Sequence, residues 1–337
     1  MTWNVLTPRP LQEAAHEVLD DFAEVTVTTE YADGAALDAD IDRFDAIVVK
    51  SLSLPRERLE RATNLKLVTQ SGVGLDPVDV DAATDLGVLV CNVRGANTRA
   101  VAEHTLAFVL AIRKGLRIAD ADVREGVWEK HGYLAPELEG DTLGVFGCGD
   151  VGSLVTRLAA GFGMRPIAYD PYKTSEELPG SVEAVGSVSE LFGIADVVCL
   201  HAPLTDETRA VVGGAELRAL GEDGILVNTA RGGLVDHDAL VSALASGTIH
   251  GAGIDVFPEE PAPEDDPLFD LENVVVTPHS AGSTLKSVPA KDRGAAENVR
   301  TVYEGRIPET TVNLDGVALR SAYRGEIPDH ARGPDPF

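Results

Sequence analysis

Short apolar runs alternate along the chain with longer stretches whose apolar positions recur every three or four residues. A strand with one wet face alternates residue by residue, so these continuous runs predict strands buried on both faces. Residues 4–6, 24–27, 46–49, 65–69 and 88–91 read as five such strands with helices between them. The rhythm then breaks: residues 97–129 form one long helical pattern through Val101, His104, Thr105, Phe108, Val109, Ile112 and Leu116. Further strands are expected at 142–146, 164–170, 197–201, 224–228, 252–257 and 273–278. Strand and helix in alternation predict parallel sheets covered by helices on both faces. The last helical pattern, 287–304, has no strand after it and is expected to return to the first sheet. Residues 315–337 are polar, contain Pro328, Pro334 and Pro336, and predict an extended arm or a disordered tail.

One strand flows directly into Gly147-x-Gly149-x-x-Gly152. The first glycine permits the tight turn, the second lets the backbone approach a pyrophosphate, and the third lets the following helix pack closely. That helix begins at Asp150 and Val151, whose free N–H groups and dipole suit an anion. The next strand ends in Asp170, placed to accept hydrogen bonds from the adenosine ribose hydroxyls. Strand, glycines, helix, strand and acid together predict a dinucleotide site. Pro171 and Tyr172 follow the acid where an arginine would greet a 2′-phosphate, so NAD is expected over NADP, with Lys173 the nearest cation.

At 337 residues the chain is long enough for two α/β domains. The pattern reads as two doubly wound parallel-sheet domains. A flavodoxin-like substrate-binding domain spans 1–96 and 285–314, and a Rossmann dinucleotide domain, 97–284, is inserted into it. No apolar run approaches the ~20 residues that span a bilayer, and the first residues carry no basic-then-apolar leader. Cys91, Cys148 and Cys199 are isolated, forming neither a disulfide framework nor a metal cluster. These features lead to the expectation of a cytoplasmic protein without a metal. A net charge of −27 disfavours nucleic acid and anionic membranes as partners.

Three ionisable groups stand where strands end, the side on which open α/β sheets bind ligands. Arg231 follows the strand at 224–228, Glu260 lies beyond Asp255, and His279 closes the strand at 273–278. An arginine can grip a carboxylate, a histidine can move a proton, and a glutamate can keep that histidine charged, as hydride transfer at a 2-oxo acid requires. Glu259 is adjacent, and register alone does not separate the two acids.

The chain resembles the NAD-dependent D-isomer-specific 2-hydroxyacid dehydrogenases, and within them the phosphoglycerate dehydrogenase branch. The resemblance runs through Gln-Ser-Gly-Val-Gly-Leu-Asp at 70–76, Gly-Ala-Asn-Thr-Arg-Ala-Val-Ala-Glu at 95–103, and 138–147 with its glycine turn. It continues through His-Ala-Pro-Leu-Thr at 201–205, Val-Asn-Thr-Ala-Arg-Gly-Gly at 227–233, Asp-Val-Phe-Pro-Glu-Glu-Pro at 255–261 and Thr-Pro-His-Ser-Ala-Gly at 277–282. The segments cover about 45–315 in the family's order. The resemblance implies an enzyme in which Arg231, Glu260 and His279 are catalytic, Glu260 being the acid that directly precedes the proline. It implies a nicotinamide near Ala202, Pro203, Thr229 and Ala230, with Asp255 on the carboxamide and Ala281 and Gly282 beside it. By the same resemblance a small 2-oxo or 2-hydroxy acid would meet Lys50, Val73, Gly74, Asn97 and Thr98 besides Arg231. The helix from Asn97 and the segment leading to Gly140 would be hinge and homodimer contact.

Lys50 stands where that branch usually places an arginine, and Gln70 replaces another, while Arg94 lies in the loop opposite. A phosphate site so altered points to a non-phosphorylated or differently charged 2-oxo acid. Phosphoglycerate oxidation for serine synthesis stays open as an alternative, as does an NAD-sensing corepressor-like protein of the same fold. Formate dehydrogenases differ by a glutamine where this chain has Glu260.

Acids number 55 against 28 bases, and only seven of the bases are lysine. Such a chain repels itself in dilute buffer, whereas at ~1 M salt the Debye length falls to ~3 Å and the repulsion is screened. A halophilic protein is expected. Thermal stability and activity should rise steeply between about 0.1 and 2 M KCl, and a melting temperature that is flat or highest in dilute buffer would refute it.

Overall fold

The strands pair only in parallel, in two separate sheets, and helical crossovers join most of them. The computed structural model describes residues 2–50, 52–129, 132–180, 182–314 and 317. Its first sheet holds β1 (Trp3–Thr7), β2 (Ala23–Val27), β3 (Ala46–Val49), β4 (Leu67–Gln70) and β5 (Leu89–Cys91), in the order β2-β1-β3-β4-β5. Helices α1 (Glu13–Leu19), α2 (Gly34–Asp40), α3 (Arg56–Arg61) and α4 (Val80–Asp85) connect them. Strands β3, β4 and β5 are buried throughout, which is why they read as unbroken apolar runs.

Next come α5 (Thr98–Arg113) and α6 (Leu116–Arg124), then β6 (Thr142–Phe146), α7 (Asp150–Ala160), β7 (Arg165–Tyr169) and β8 (Glu183–Ala184). The second sheet is completed by α8 (Val188–Ile194), β9 (Val197–Leu200), α9 (Gly214–Leu220), β10 (Ile225–Asn228), α10 (His237–Ala245), β11 (Gly251–Ile254) and β12 (Val274–Val276). Its order is β12-β11-β10-β9-β6-β7-β8. The chain finally returns as α11 (Ser287–Tyr303), which buries Ala295, Ala296, Val299 and Val302 in the core of the first sheet beside residues of α1. Two units result: the chain up to Asn97 and from Thr284 on, and Thr98–Ser283. The two doubly wound parallel sheets are those expected from the alternation of runs.

Two features depart from the expected elements. The long helix expected over 97–129 is broken: α5 stops at Arg113, Gly115 takes a left-handed φ of +58°, α6 ends at Arg124, and 125–129 lie outside any helix. Gly115 makes that conformation inexpensive, and the helical spacing of Leu116 and Val123 misleads because both side chains are exposed. Strand β8 carries no apolar signature, since it is two exposed residues at the sheet edge. The expected arm at 315–337 lies outside the described residues except for Val317, which is buried against the first core.

Helix α5 sits close on the second sheet because β11 is built on glycine. A Cβ at Gly253 would lie 2.5 Å from Phe108 Cβ, and one at Gly251 would lie 2.7 Å from Ile112 Cγ2. Larger residues would lift the helix off β11, so the sequence Gly251-Ala-Gly fixes where α5 lies.

Candidate active site

The turn from β6 into α7 divides its demands among three glycines. Gly147 has φ +88°, and a Cβ there would lie 2.6 Å from the backbone nitrogen of Ala202. Gly152 is equally constrained, because its Cβ would stand 2.3 Å from Gly147 O. Nothing lies within 4 Å of a Cβ built on Gly149, the N-cap of α7, so a phosphate has open access to the backbone there. Asp150 and Val151 begin α7 and point its first N–H groups the same way. The turn therefore fits a dinucleotide pyrophosphate.

At the end of β7, Asp170 Oδ2 accepts from Cys148 N at 2.9 Å and Oδ1 accepts from Tyr172 N at 3.1 Å. A carboxylate offers about four lone-pair positions, so capacity is left for two ribose hydroxyls. Lys173 Nζ donates to Cys148 O at 2.8 Å, which sets an ammonium beside the same turn. The end of β7 thus carries both signs of charge beside the turn. Cys148 itself is buried, and that burial pushes its thiol up from its ordinary value.

Beyond β11 and β12 the loops are tied to one buried acid. Asp255, 1% exposed, accepts from Thr277 Oγ1 at 2.5 Å and Ser280 N at 2.8 Å through Oδ1, and from Ala281 N at 2.9 Å through Oδ2. Its carbonyl accepts from His279 N at 2.7 Å. His279 is held at φ +50°, a conformation uncommon for a residue with a side chain. Its Nδ1 meets Glu260 Oε2 at 2.6 Å, and Glu260 is fixed in turn because Oε1 accepts from Phe257 N at 3.1 Å. Between the two neighbouring acids, Glu260 is the one that meets the imidazole. Half of the His279 side chain stays exposed, so the ring can reach a ligand.

Arg231 follows β10 in a turn clamped by Asn228, whose Nδ2 donates to Arg231 O at 2.8 Å and whose Oδ1 accepts from Ala230 N at 3.1 Å. Gly232 then packs on the Glu260 loop so closely that a Cβ would stand 2.0 Å from Phe257 C. The arginine turn and the glutamate loop are therefore in direct contact through a glycine.

Other expected residues of this unit sit at strand ends. Ala202 is buried after β9 and Pro203 is exposed, Thr229 is buried with Oγ1 3.1 Å from Thr105 Oγ1, and Ala230 is half-buried. Ala281 is buried and Gly282 follows it, while Thr98 opens α5. Lys50, Val73, Gly74 and Asn97 belong to the first unit. There Lys50 is exposed after β3, and Val73 is exposed in a loop that Asn92 Nδ2 holds by donating to Val73 O at 3.2 Å. Arg94 is exposed.

Sequence reasoning missed two histidines. His104, read only as part of a helix face, lies 3.0 Å from Thr277 Oγ1 and 4.0 Å from Asp255 Oδ1, supporting the same loop. His201 Nε2 is buried without a partner among the described residues, and burial pushes that imidazole down to about 4. It is neutral near pH 7, unlike a proton donor. Among the described residues no group of three His, Cys, Asp or Glu could hold a metal ion, and no helix is long and apolar enough to cross a membrane.

The family model for the D-isomer specific 2-hydroxyacid dehydrogenase NAD binding domain matches residues 106–281. A D-3-phosphoglycerate dehydrogenase of Methanocaldococcus jannaschii is 39% identical over 315 residues, covering 93% of this chain and 60% of that protein. A hydroxypyruvate reductase of Thermotoga maritima is 38% identical over 299 residues, 88% of this chain and 95% of the relative. Among solved structures, the NADPH-dependent glyoxylate/hydroxypyruvate reductase of Sinorhizobium meliloti in complex with NADP and malonate superposes with a TM-score of 0.84 at 30% identity, covering 95% of this chain and 99% of that one. The chain spans 60% of the length of the first of these relatives. Likeness that runs through both sheets, at this level of identity, makes the chain a member of the D-isomer-specific 2-hydroxyacid dehydrogenase family, in its phosphoglycerate dehydrogenase-like branch.

Proposed function

We propose that the chain is an NAD-dependent dehydrogenase that interconverts a small 2-oxo acid and the corresponding D-2-hydroxy acid. The 2.6 Å contact between His279 and Glu260, on a unit that also carries the dinucleotide turn, supports this reading above any other observation. A bound nicotinamide supplies the hydride at C2 or receives it there. Glu260 accepts from Nδ1–H and so orients the imidazole, whose Nε2 gives its proton to the carbonyl oxygen during reduction and takes it back during oxidation. Arg231 grips the carboxylate and the carbonyl with its forked donors. Asp255 has about one lone-pair position left on Oδ2, which suits a carboxamide N–H. Ala202, Pro203, Thr229, Ala230, Ala281 and Gly282 flank the nicotinamide in this reading, and roles for Lys50, Val73, Gly74, Asn97 and Thr98 toward the substrate rest on the family likeness. Three buried free thiols suit a reducing compartment, in keeping with a cytoplasmic enzyme.

Assembly as a homodimer through the second unit is part of the same proposal. Leu116, Val123, Trp128 and Leu134 are 54%, 49%, 81% and 88% exposed within one stretch of chain, an apolar surface of the kind that a second copy covers. Light scattering should give the mass of two chains, and Leu134→Asp should shift it toward one. A monomeric wild-type protein would remove the dimer from the reading.

Replacing His279 with Asn should lower kcat by about 10²–10⁴-fold while NADH binding, followed by its fluorescence, changes little. A kcat within about threefold of wild type would exclude His279 as the proton donor. Glu260→Gln removes the carboxylate that accepts from Nδ1 and orients the ring, so kcat should fall by about tenfold or more. A wild-type kcat would remove Glu260 from that role.

Cofactor choice should follow the balance of charge at the ribose. The Asp170 carboxylate accepts from hydroxyls and repels a 2′-phosphate, whereas Lys173 attracts one. Its ammonium is already held by Cys148 O, so NADH should exceed NADPH in kcat/KM, and Asp170→Ala should narrow the difference. An NADPH value equal to or above that for NADH would show that the cation prevails.

A further inference from the structure

Asp255 takes side-chain donors from Thr277, Ser280 and Ala281, so the acid and the segment that carries His279 hold one another. A reference from outside this pair comes from α5. His104 brings Nε2 to 3.0 Å from Thr277 Oγ1. Its ring meets Phe108 edge-on, with centroids 4.6 Å apart, and Phe108 is itself seated where a Cβ on Gly253 would strike it. The next residue, Thr105, lies with Oγ1 3.1 Å from Thr229 Oγ1. Helix α5 thus touches β11 and the residues that follow β10 and β12, all within the second unit.

The protons along these contacts follow from counting donors. A threonine hydroxyl has one proton, and Thr277 Oγ1, 2.5 Å from Asp255 Oδ1, gives it to the carboxylate. Its oxygen is left to accept, so the contact with His104 requires a proton on the imidazole Nε2. The chain runs from His104 Nε2–H to Thr277 Oγ1–H to Asp255 Oδ1, each donor polarising the next. His104 Nε2 is 4.0 Å from Asp255 Oδ1, too far for a direct hydrogen bond, so the histidine acts on the acid through the threonine. Oδ2 of Asp255 accepts from Ala281 N at 2.9 Å and stands outside the chain.

We propose that His104 is a positioning residue for hydride transfer: through Thr277 it ties Asp255 and the segment of His279 to α5, fixing the acceptor for the nicotinamide carboxamide and the place of the proton donor together. The inference rests on the dehydrogenase reading, in which Asp255 and His279 have those roles. Neither is touched by a substitution of His104 itself, so the effect is one of geometry. Small displacements of reacting groups cost rate steeply, which makes a donor one residue removed from the acid measurable in kcat.

The test compares the wild type, His104→Met, His104→Gln, Thr277→Val and the double variant His104→Met with Thr277→Val. Two readouts are taken: NADH oxidation with hydroxypyruvate, glyoxylate and 3-phosphohydroxypyruvate, and amide hydrogen exchange of the protein without cofactor. His104→Met should lower kcat by about tenfold and speed exchange at 277–282 while leaving the glycine turn at 142–160 unchanged. General loosening of the fold would speed both segments and would refute the proposal. Gln keeps an N–H donor of similar reach, so His104→Gln should return kcat to within about threefold of wild type and restore slow exchange. The double variant should match Thr277→Val alone, because the two residues act as one chain. A kcat for His104→Met within about threefold of wild type, a Gln variant as impaired as Met, or additive losses in the double variant overturns the proposal. Should the wild type reduce none of the three acids, the dehydrogenase reading falls and the role of His104 is decided by exchange alone. Faster exchange confined to 277–282 in the Met variant and absent from the Gln variant supports it, and equal exchange in all three proteins refutes it.

Discussion

The candidate active site depends on the carboxylate of Asp255. A buried carboxylate is costly to keep charged unless donors surround it, and its donors come from the segment that carries His279: Thr277, Ser280 and Ala281. The acid thereby dictates the path of that segment and holds His279 in a left-handed conformation that a free loop would leave. Glu260 can then meet the imidazole because Phe257 N fixes its other oxygen, and Arg231 is set against the same loop through Gly232. Remove the buried charge, and the histidine, its glutamate and the arginine turn lose a common reference.

Electrostatics follow a second logic in the first unit. Most of the chain's charge is acidic and spread over the sequence, which repels other anions. Arg9, two residues beyond β1, is a cation within that field, and it meets the carboxylate of Asp292 at 2.7 Å. Asp292 anchors Arg9 and Ser71 from a fully buried position, so this ion pair belongs to the core of the unit as much as to its surface.

How much of this is legible in the sequence depends on whether the physical cause is local. Strands β3, β4, β9 and β10 are buried on both faces, so their runs announce them. The glycine turn is legible because its three constraints fall within six residues. The end of α5 is not, since Leu116 and Val123 keep helical spacing while facing solvent and only Gly115 marks the break. Glu260 and Glu259 are equivalent in composition and separate only when the loop brings one of them to His279. Arg9 and Asp292 meet across 283 residues, a partnership that no local pattern encodes. His104 is hidden for a similar reason: its helix face is apolar, and its polar partner Thr277 comes from the far end of the same unit.

Insertion of the second unit between β5 and α11 has a consequence for synthesis. Thr98–Ser283 is contiguous and can complete its own core as soon as it has emerged. The first unit cannot, because Ala295, Ala296 and Val299 of α11 fill the core that Val5, Val48 and Leu67 line. Those strands leave the ribosome before the inserted unit and are covered only after every residue of it has been made, so they must wait longer to fold than the unit that follows them.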